Sequence, residues 1–177
     1  MAAMAAAALR GPILWARGTR APGGPNPEGL AALIDPARIV MALAPSGIEA
    51  LWAAEEALRA GAAPLVIVEP REPPGLTPVR RLNLAAEAGG GAAAAYGWAP
   101  PLCLILTPKG GSGAAVETRW RADPLPGWAM TADPGGGPAR WRLECLRDKA
   151  GPPGAWEASI ARRGLRAPPR PVFARAA

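Results

Sequence analysis

The 177-residue sequence contains no histidine. That removes the side chain that titrates closest to neutral pH. It excludes Ser-His-Asp and Cys-His nucleophile systems and every imidazole metal site. Cysteine is scarce: Cys103 and Cys145 both fall inside predicted strands. They are expected to be buried free thiols of a reducing cytosol rather than a disulfide or a metal site. Lysine is nearly absent, with only Lys109 and Lys149, so the basic charge is carried by arginine. No apolar run approaches the length of a membrane span. The alanine-rich start, Met1 to Leu9, lacks the basic region of a secretory leader and reads as a short helix. A soluble, cytoplasmic protein is expected. A phosphate-binding loop, G-x-x-x-x-G-K-[ST], is missing as well. The nearest segment, Lys109-Gly110-Gly111-Ser112-Gly113, has its lysine before the glycines and opens no helix, so it reads as a loop. Gly89-Gly90-Gly91 reads as a flexible turn, not a dinucleotide fingerprint.

What is present suits one domain: 50% hydrophobic and 19% charged residues permit a packed core, and 22 Gly with 23 Pro require many loops. The formal net charge of +6 fits a polyanionic partner, nucleic acid first, or a solvated arginine-rich surface. Composition alone leaves both readings open.

The chain is organised around Ser46 to Pro70. Ser46 and Glu49 have capping-box spacing, and Gly61 suits the left-handed position that ends a helix. Ile48, Leu51, Trp52, Ala54 and Leu58 share one helical face, which Glu55 and Arg59 interrupt as an i,i+4 pair. Leu65 to Val68 is a continuous apolar run, as expected of a strand covered on both sides. It ends at Glu69, the position where open α/β sheets place ligand sites. Glu69 is therefore either a weak candidate for a metal-side carboxylate or a strand-end carboxylate facing water.

Before that stretch, Pro12–Ala16 and Arg38–Leu43 read as strands, with a helix from Asn26-Pro27-Glu28 to about Leu33 between them. After it, Thr77-Pro78 starts a helix that reaches Gly89. A loose Gly/Ala segment from Gly89 to Pro101 precedes a fourth apolar strand, Leu102–Thr107. The order β-α-β-α-β-α-β predicts parallel strands with right-handed helical crossovers. The period then changes to two. Val116, Thr118 and Trp120, then Trp141, Leu143 and Cys145, then Trp156, Ala158 and Ile160, alternate with polar residues. These predict antiparallel strands that finish the sheet. The predicted fold is α/β, a mostly parallel three-layer core with antiparallel C-terminal strands, over residues 1–161. The Arg/Pro-rich tail, 162–177, is expected to be disordered.

Candidate nucleic-acid contacts are Arg80 and Arg81 at the start of a helix, Lys109 in its loop, and Arg119, Arg121, Arg140 and Arg142. The last four share one sheet face if their strands pair, and would form a basic, phosphate-contacting stripe. Solubility is the competing explanation for the four sheet arginines, and an acidic neighbour or surface solvation for Arg80 and Arg81. Trp15, Trp52, Trp120, Trp141 and Trp156 occupy core-facing positions by pattern, whereas Trp98 and Trp128 fall in loops and are the candidates for base stacking or docking.

Several segments together resemble the ImuA family: ALRAGAAPLVIVEP, LTPVRRLNLAAEAG, LCLILT, ETRWRADPL and ARWRLECLRDKAGPPGAWEA. The similarity spans about Gly11 to Ala158. Members are RecA-like accessory proteins of bacterial SOS mutagenesis. The resemblance implies a RecA-type core and a role in DNA-damage-induced, error-prone translesion synthesis. The implied partners are a catalytically inactive Y-family polymerase homologue (ImuB) and an alternative replicative polymerase subunit. It aligns RAGAAPLVIVE with the segment carrying the Walker B carboxylate, so Glu69 stands where Asp is usual. It also aligns Pro70–Thr77 and Lys109–Gly113 with DNA-contacting loops. Against the RecA pattern, the chain begins near the second core strand, reads Ala16-Arg17-Gly18-Thr19 where a catalytic Glu would follow that strand, and has Pro108 at the switch position. The expectation is a non-catalytic scaffold without cofactor or catalytic residue, with possible DNA contact. A fragment of a P-loop ATPase and a sequence-independent DNA-binding module are the alternatives.

Overall fold

The computed structural model describes residues 1–19, 23–31, 33–108, 115–125, 139–160 and 172–175. The strand Leu65–Glu69 (β3) lies at the centre of a four-stranded parallel sheet, and Leu65, Val66, Ile67 and Val68 have no exposed surface. It pairs on one side with Ile13–Gly18 (β1), which pairs with Ile39–Ala44 (β2), and on the other with Leu102–Ile105 (β4). The order is β2-β1-β3-β4, with every neighbour parallel, as the alternation of elements predicts.

Side-chain alternation along β3 supplies both faces. Val66 and Val68 pack with Ala50, Ala54 and Leu58 of helix Gly47–Ala60 (α3) and with Leu82 and Ala85 of helix Leu76–Ala95 (α4). Leu65 and Ile67 pack with Ala2 and Ala6 of helix Ala2–Ala8 (α1) and with Ile34, which follows the short helix Pro27–Ala31 (α2). The sheet is thus covered on both sides and the three-layer α/β architecture holds.

The Ser46 cap of α3 forms as its spacing predicts, Ser46 Oγ accepting the Glu49 N–H at 3.3 Å, but the Glu49 carboxylate takes the Ser46 hydroxyl at 2.8 Å where a full capping box would bond the Ser46 N–H. Gly61 ends the helix in the left-handed region at φ 61°. Of the predicted apolar face, Leu51, Ala54 and Leu58 are buried, and Ile48 and Trp52 are not. Ile48 and Trp52 are 63% and 54% exposed, because the helix meets the sheet through Ala50, Ala54 and Leu58, a stripe rotated away from them.

A second difference is larger. The Gly/Ala segment expected to be loose is helical as far as Ala95. A Cβ on Gly89 would stand 1.9 Å from the Leu58 carbonyl oxygen, and one on Gly61 would stand 2.4 Å from the Gly89 carbonyl oxygen. The two helices touch backbone to backbone at this crossing, and that close packing offsets the intrinsic helix cost of glycine.

The antiparallel strands are Thr118–Pro124 (β5), Ala139–Asp148 (β6), Gly154–Ile160 (β7) and Val172–Arg175 (β8), in the order β5-β6-β7-β8. They do not finish the parallel sheet, as expected from the sequence, but form a second one. Within the tail expected to be disordered, Val172–Arg175 pairs with the edge of β7, consistent with the strand preference of Val172 and Phe173, and the rest of that tail lies outside the described residues. Leu143, Cys145 and Ala158 are buried on the inner face, with Trp120, Trp141 and Trp156 half-buried beside them. Helix α1 joins the two sheets: Ala2 and Ala6 face the first, and Met4 packs on Leu143 and Ala158 of the second.

Two expectations follow. Val66→Asp places an unpaired charge in the fully buried centre of β3, costing several kcal/mol out of a typical margin of about 5–15 kcal/mol. A variant with an unchanged melting temperature contradicts this placement. Gly89→Ala destabilises by about 1–3 kcal/mol through overpacking against Leu58. Gly90→Ala, where no atom lies within 4 Å, stabilises by up to about 1 kcal/mol. Thermal melts of the two variants check the opposite signs.

Candidate functional site

The carboxyl ends of β1 and β3 bring three side chains together. Glu69 leaves β3 directly beside Arg17 of β1, its register partner. Trp15 Nε1 donates to Glu69 Oε1 at 2.8 Å, and Arg17 Nε lies 3.3 Å from Glu69 Oε2. Arg17 is only 5% exposed and also donates from Nη1 to the Gly23 carbonyl oxygen. Both oxygens of the strand-end carboxylate are therefore engaged from within the fold. A metal-side carboxylate needs an oxygen turned toward its cation, and here a guanidinium holds that position. Arg17 lies at the position where the RecA pattern would lead one to look for a catalytic Glu. The sequence signal for this trio was a lone Arg at the end of an apolar strand; its partner could be found only through the β1–β3 register.

A second ionic cluster ties α3 to α4. Glu55, on the buried face of α3, receives Arg59 Nη2 at 2.6 Å and Arg81 Nε and Nη2 at 2.8 and 3.2 Å. Burial pushes the Glu55 carboxyl up; the two guanidiniums outweigh it and hold the group below the ordinary glutamate range. Arg81 thus meets an acidic neighbour rather than lying open.

The predicted arginine stripe comes together only in part. Arg121, Arg140 and Arg142 share the outer face of the second sheet, but Asp123, Glu144 and Glu157 stand between them. Arg121 bonds Glu144 and lies 3.0 Å from Asp123, and Arg140 bonds Glu157. Arg119 lies opposite Arg147, beyond a bulge at which Leu146 has no partner on β5. Arg80 and Arg142 are exposed and make no ion pair among the described residues. Lys109 and its loop lie outside the described residues, as does Trp128. Trp98 is not a free platform: its ring packs on Gly11, and Tyr96 stacks on it with ring centres 4.9 Å apart.

Between the sheets runs a cleft of about 690 Å³, lined by β4 and β5 and by Val79, Leu82 and Ala86 of α4. Asn83 Nδ2 donates to the Ala115 carbonyl oxygen at 2.9 Å and ties the start of the β5 segment to α4. Burial pushes the thiol of Cys103, on its wall, up to about 12, so it is a protonated packing group at neutral pH. Cys145 is also free. Among the described residues no helix is long and apolar enough to cross a membrane, and no three Cys, Asp or Glu side chains cluster as metal ligands.

No family model matches the chain. Two curated relatives do, each named Protein ImuA and each from a strain of Caulobacter vibrioides. Both are 36% identical over 129 residues, covering 68% of this chain and 49% of their own length. The chain spans about half the length of the curated relatives it matches. With the α/β core and the matched segments taken together, the chain belongs to the ImuA family.

Proposed function

We propose that this chain is a non-catalytic, RecA-like accessory component of SOS-induced, error-prone translesion DNA synthesis. It acts in the ImuA/ImuB mutagenesis system by recruiting or regulating the polymerase assembly through protein contacts. The observation that carries the non-catalytic reading is the engaged carboxylate: Trp15 and Arg17 occupy both oxygens of Glu69. An arginine so close repels a divalent cation, and each carboxylate oxygen already faces the Trp15 indole or the Arg17 guanidinium. Family membership supports the cellular role, and with it an ImuB-type inactive Y-family polymerase homologue and an alternative replicative polymerase subunit as partners, in the cytoplasm.

The tagged chain, recovered from DNA-damaged cells of its own bacterium, is expected to bring the ImuB-type protein with it. Recovery of neither polymerase partner contradicts the reading.

Direct DNA contact is a second reading, favoured by the exposed Arg80 and Arg142. Arginines already paired with carboxylates release few counterions from DNA, so the outer face behaves as a mixed surface rather than a basic stripe. Arg80→Gln with Arg142→Gln is expected to make the slope of log affinity against log salt shallower by about 1.4–1.8. Arg121→Gln with Arg140→Gln should change it little. Fluorescence anisotropy on duplex and single-stranded DNA checks both, and the reverse ranking rules out the pairing argument.

The Glu55 cluster gives a pH expectation. Because its native pKa is depressed, its contribution is fully present above the unfolded glutamate value, about 4.3, and is lost as pH falls through the lower native value. Arg81→Ala is expected to cost about 1–2 kcal/mol at pH 7, and less once Glu55 protonates. Urea unfolding across acid pH measures the convergence.

A further inference from the structure

Helix α1 does not hold itself in place. It has seven residues, six of them alanine. A helix shorter than about 12–15 residues is marginal in water even when rich in alanine. No side chain caps its N-terminus. Its buried side chains are two alanines and one methionine. Ala2 and Ala6 pack in the cluster of Leu65 and Ile67, and Met4 alone reaches Leu143 and Ala158 of the second sheet.

One guanidinium fixes its far end. Arg38 closes the short 3-10 turn Pro36–Arg38 that leads into β2. Its Nη1 donates to the Ala6 carbonyl oxygen at 3.3 Å, its Nη2 to that of Leu9 at 2.6 Å, and its Nε to that of Gly11 at 2.8 Å. The carbonyls of a helix's last turn have no partner inside the helix and carry the negative end of its dipole. A planar cation with several donors answers both needs. Asp35 Oδ1 accepts the Ala37 N–H at 2.9 Å and so sets the turn that presents Arg38. Among the described residues, α1 and the link to β1 receive side-chain hydrogen bonds from Arg38 alone. Gly11 ends that link at φ 98°, a conformation glycine adopts without strain.

We propose that α1 is a strap latched by Arg38. It opens about Gly11 as a unit while β3 stays folded, and its opening loosens the second sheet from the first. Opening bares the beds of both stripes together, Leu65 and Ile67 on one side and Leu143 and Ala158 on the other. Two ties between the sheets remain. Leu33 packs on both clusters, and Asn83 stays bonded to the Ala115 carbonyl oxygen. Segments that bury little apolar surface open locally at a lower free energy than the core beneath them. Here the core beneath is β3, whose four apolar side chains have no exposed surface. The inference is independent of the accessory role, which rests on the Glu69 cluster and family membership.

Native-state hydrogen exchange on the full 177-residue chain tests it. Relative to their intrinsic rates, the amides of α1 are expected to exchange faster than those of β3 by roughly tenfold or more. Arg38→Met keeps an apolar stem and removes the three donors. It is expected to speed exchange in α1, and with it in β6 and β7, by roughly tenfold or more, and to leave β3 within about twofold. Met4→Ala leaves the latch in place and is expected to speed β6 and β7 without moving β3. Equal acceleration of α1 and β3 by Arg38→Met makes Arg38 a support of the whole fold and overturns the proposal. Unchanged exchange in β6 and β7 in either variant also overturns it. Should Arg38→Met fail to fold, the unaltered chain and Met4→Ala decide, and α1 exchanging as slowly as β3 overturns the proposal.

Discussion

The burial of β3 between two helical layers is the constraint on which the rest depends. Four large side chains without exposed surface, each contributing about 1.5–3 kcal/mol, supply a driving force comparable to the whole margin of a small domain. Their alternation decides which helices lie on which face: Val66 and Val68 hold α3 and α4, and Leu65 and Ile67 hold α1. The same strand fixes where Glu69 emerges. With β1 paired alongside, Trp15 and Arg17 are carried to that carboxylate. The position where an open α/β sheet would accept a ligand is filled by the protein's own indole and guanidinium.

This separates a closed interior from open margins. At the ends of β1 and β3, Glu69 is held by Trp15 and Arg17, and the α3–α4 seam is tied through Glu55 with Arg59 and Arg81. Among the described residues the unpaired features lie at edges: the sides of β4 and β5 that face the cleft, and β2, where Val40 and Leu43 are exposed. That distribution supports the proposed action through contacts with other proteins. Its basic charge adds little concentrated field on the second sheet, because the outer face sets three carboxylates among Arg121, Arg140 and Arg142.

Much of the fold was legible in the sequence where local and tertiary preferences agree. The Ser46–Glu49 cap, the Gly61 stop and the apolar run after it formed as their chemistry dictates. Legibility failed where a partner decides. Gly89 to Gly91 are poor helix residues, yet Gly89 is required at the crossing with Leu58. Trp52 fits an apolar face by spacing, but small alanines beside it make the closer contact with the sheet. Glu69 was visible as a strand-end carboxylate, whereas its arginine is 52 positions earlier and meets it only through strand register. Period-two patterning placed the arginines on one face, and only register revealed which carboxylates stand between them.

The central claim is that Glu69 is a structural partner of Arg17 rather than a free strand-end ligand. A double-mutant cycle tests it most directly, with Arg17→Met, Glu69→Gln and the double variant unfolded in urea. Both side chains are largely buried, at 6% and 24% exposure, so the pair is little screened by solvent. The account predicts a coupling energy of about 1–3 kcal/mol. Additivity within about 0.5 kcal/mol would contradict it and return Glu69 to the role of an unengaged carboxylate at the sheet's ligand-binding end.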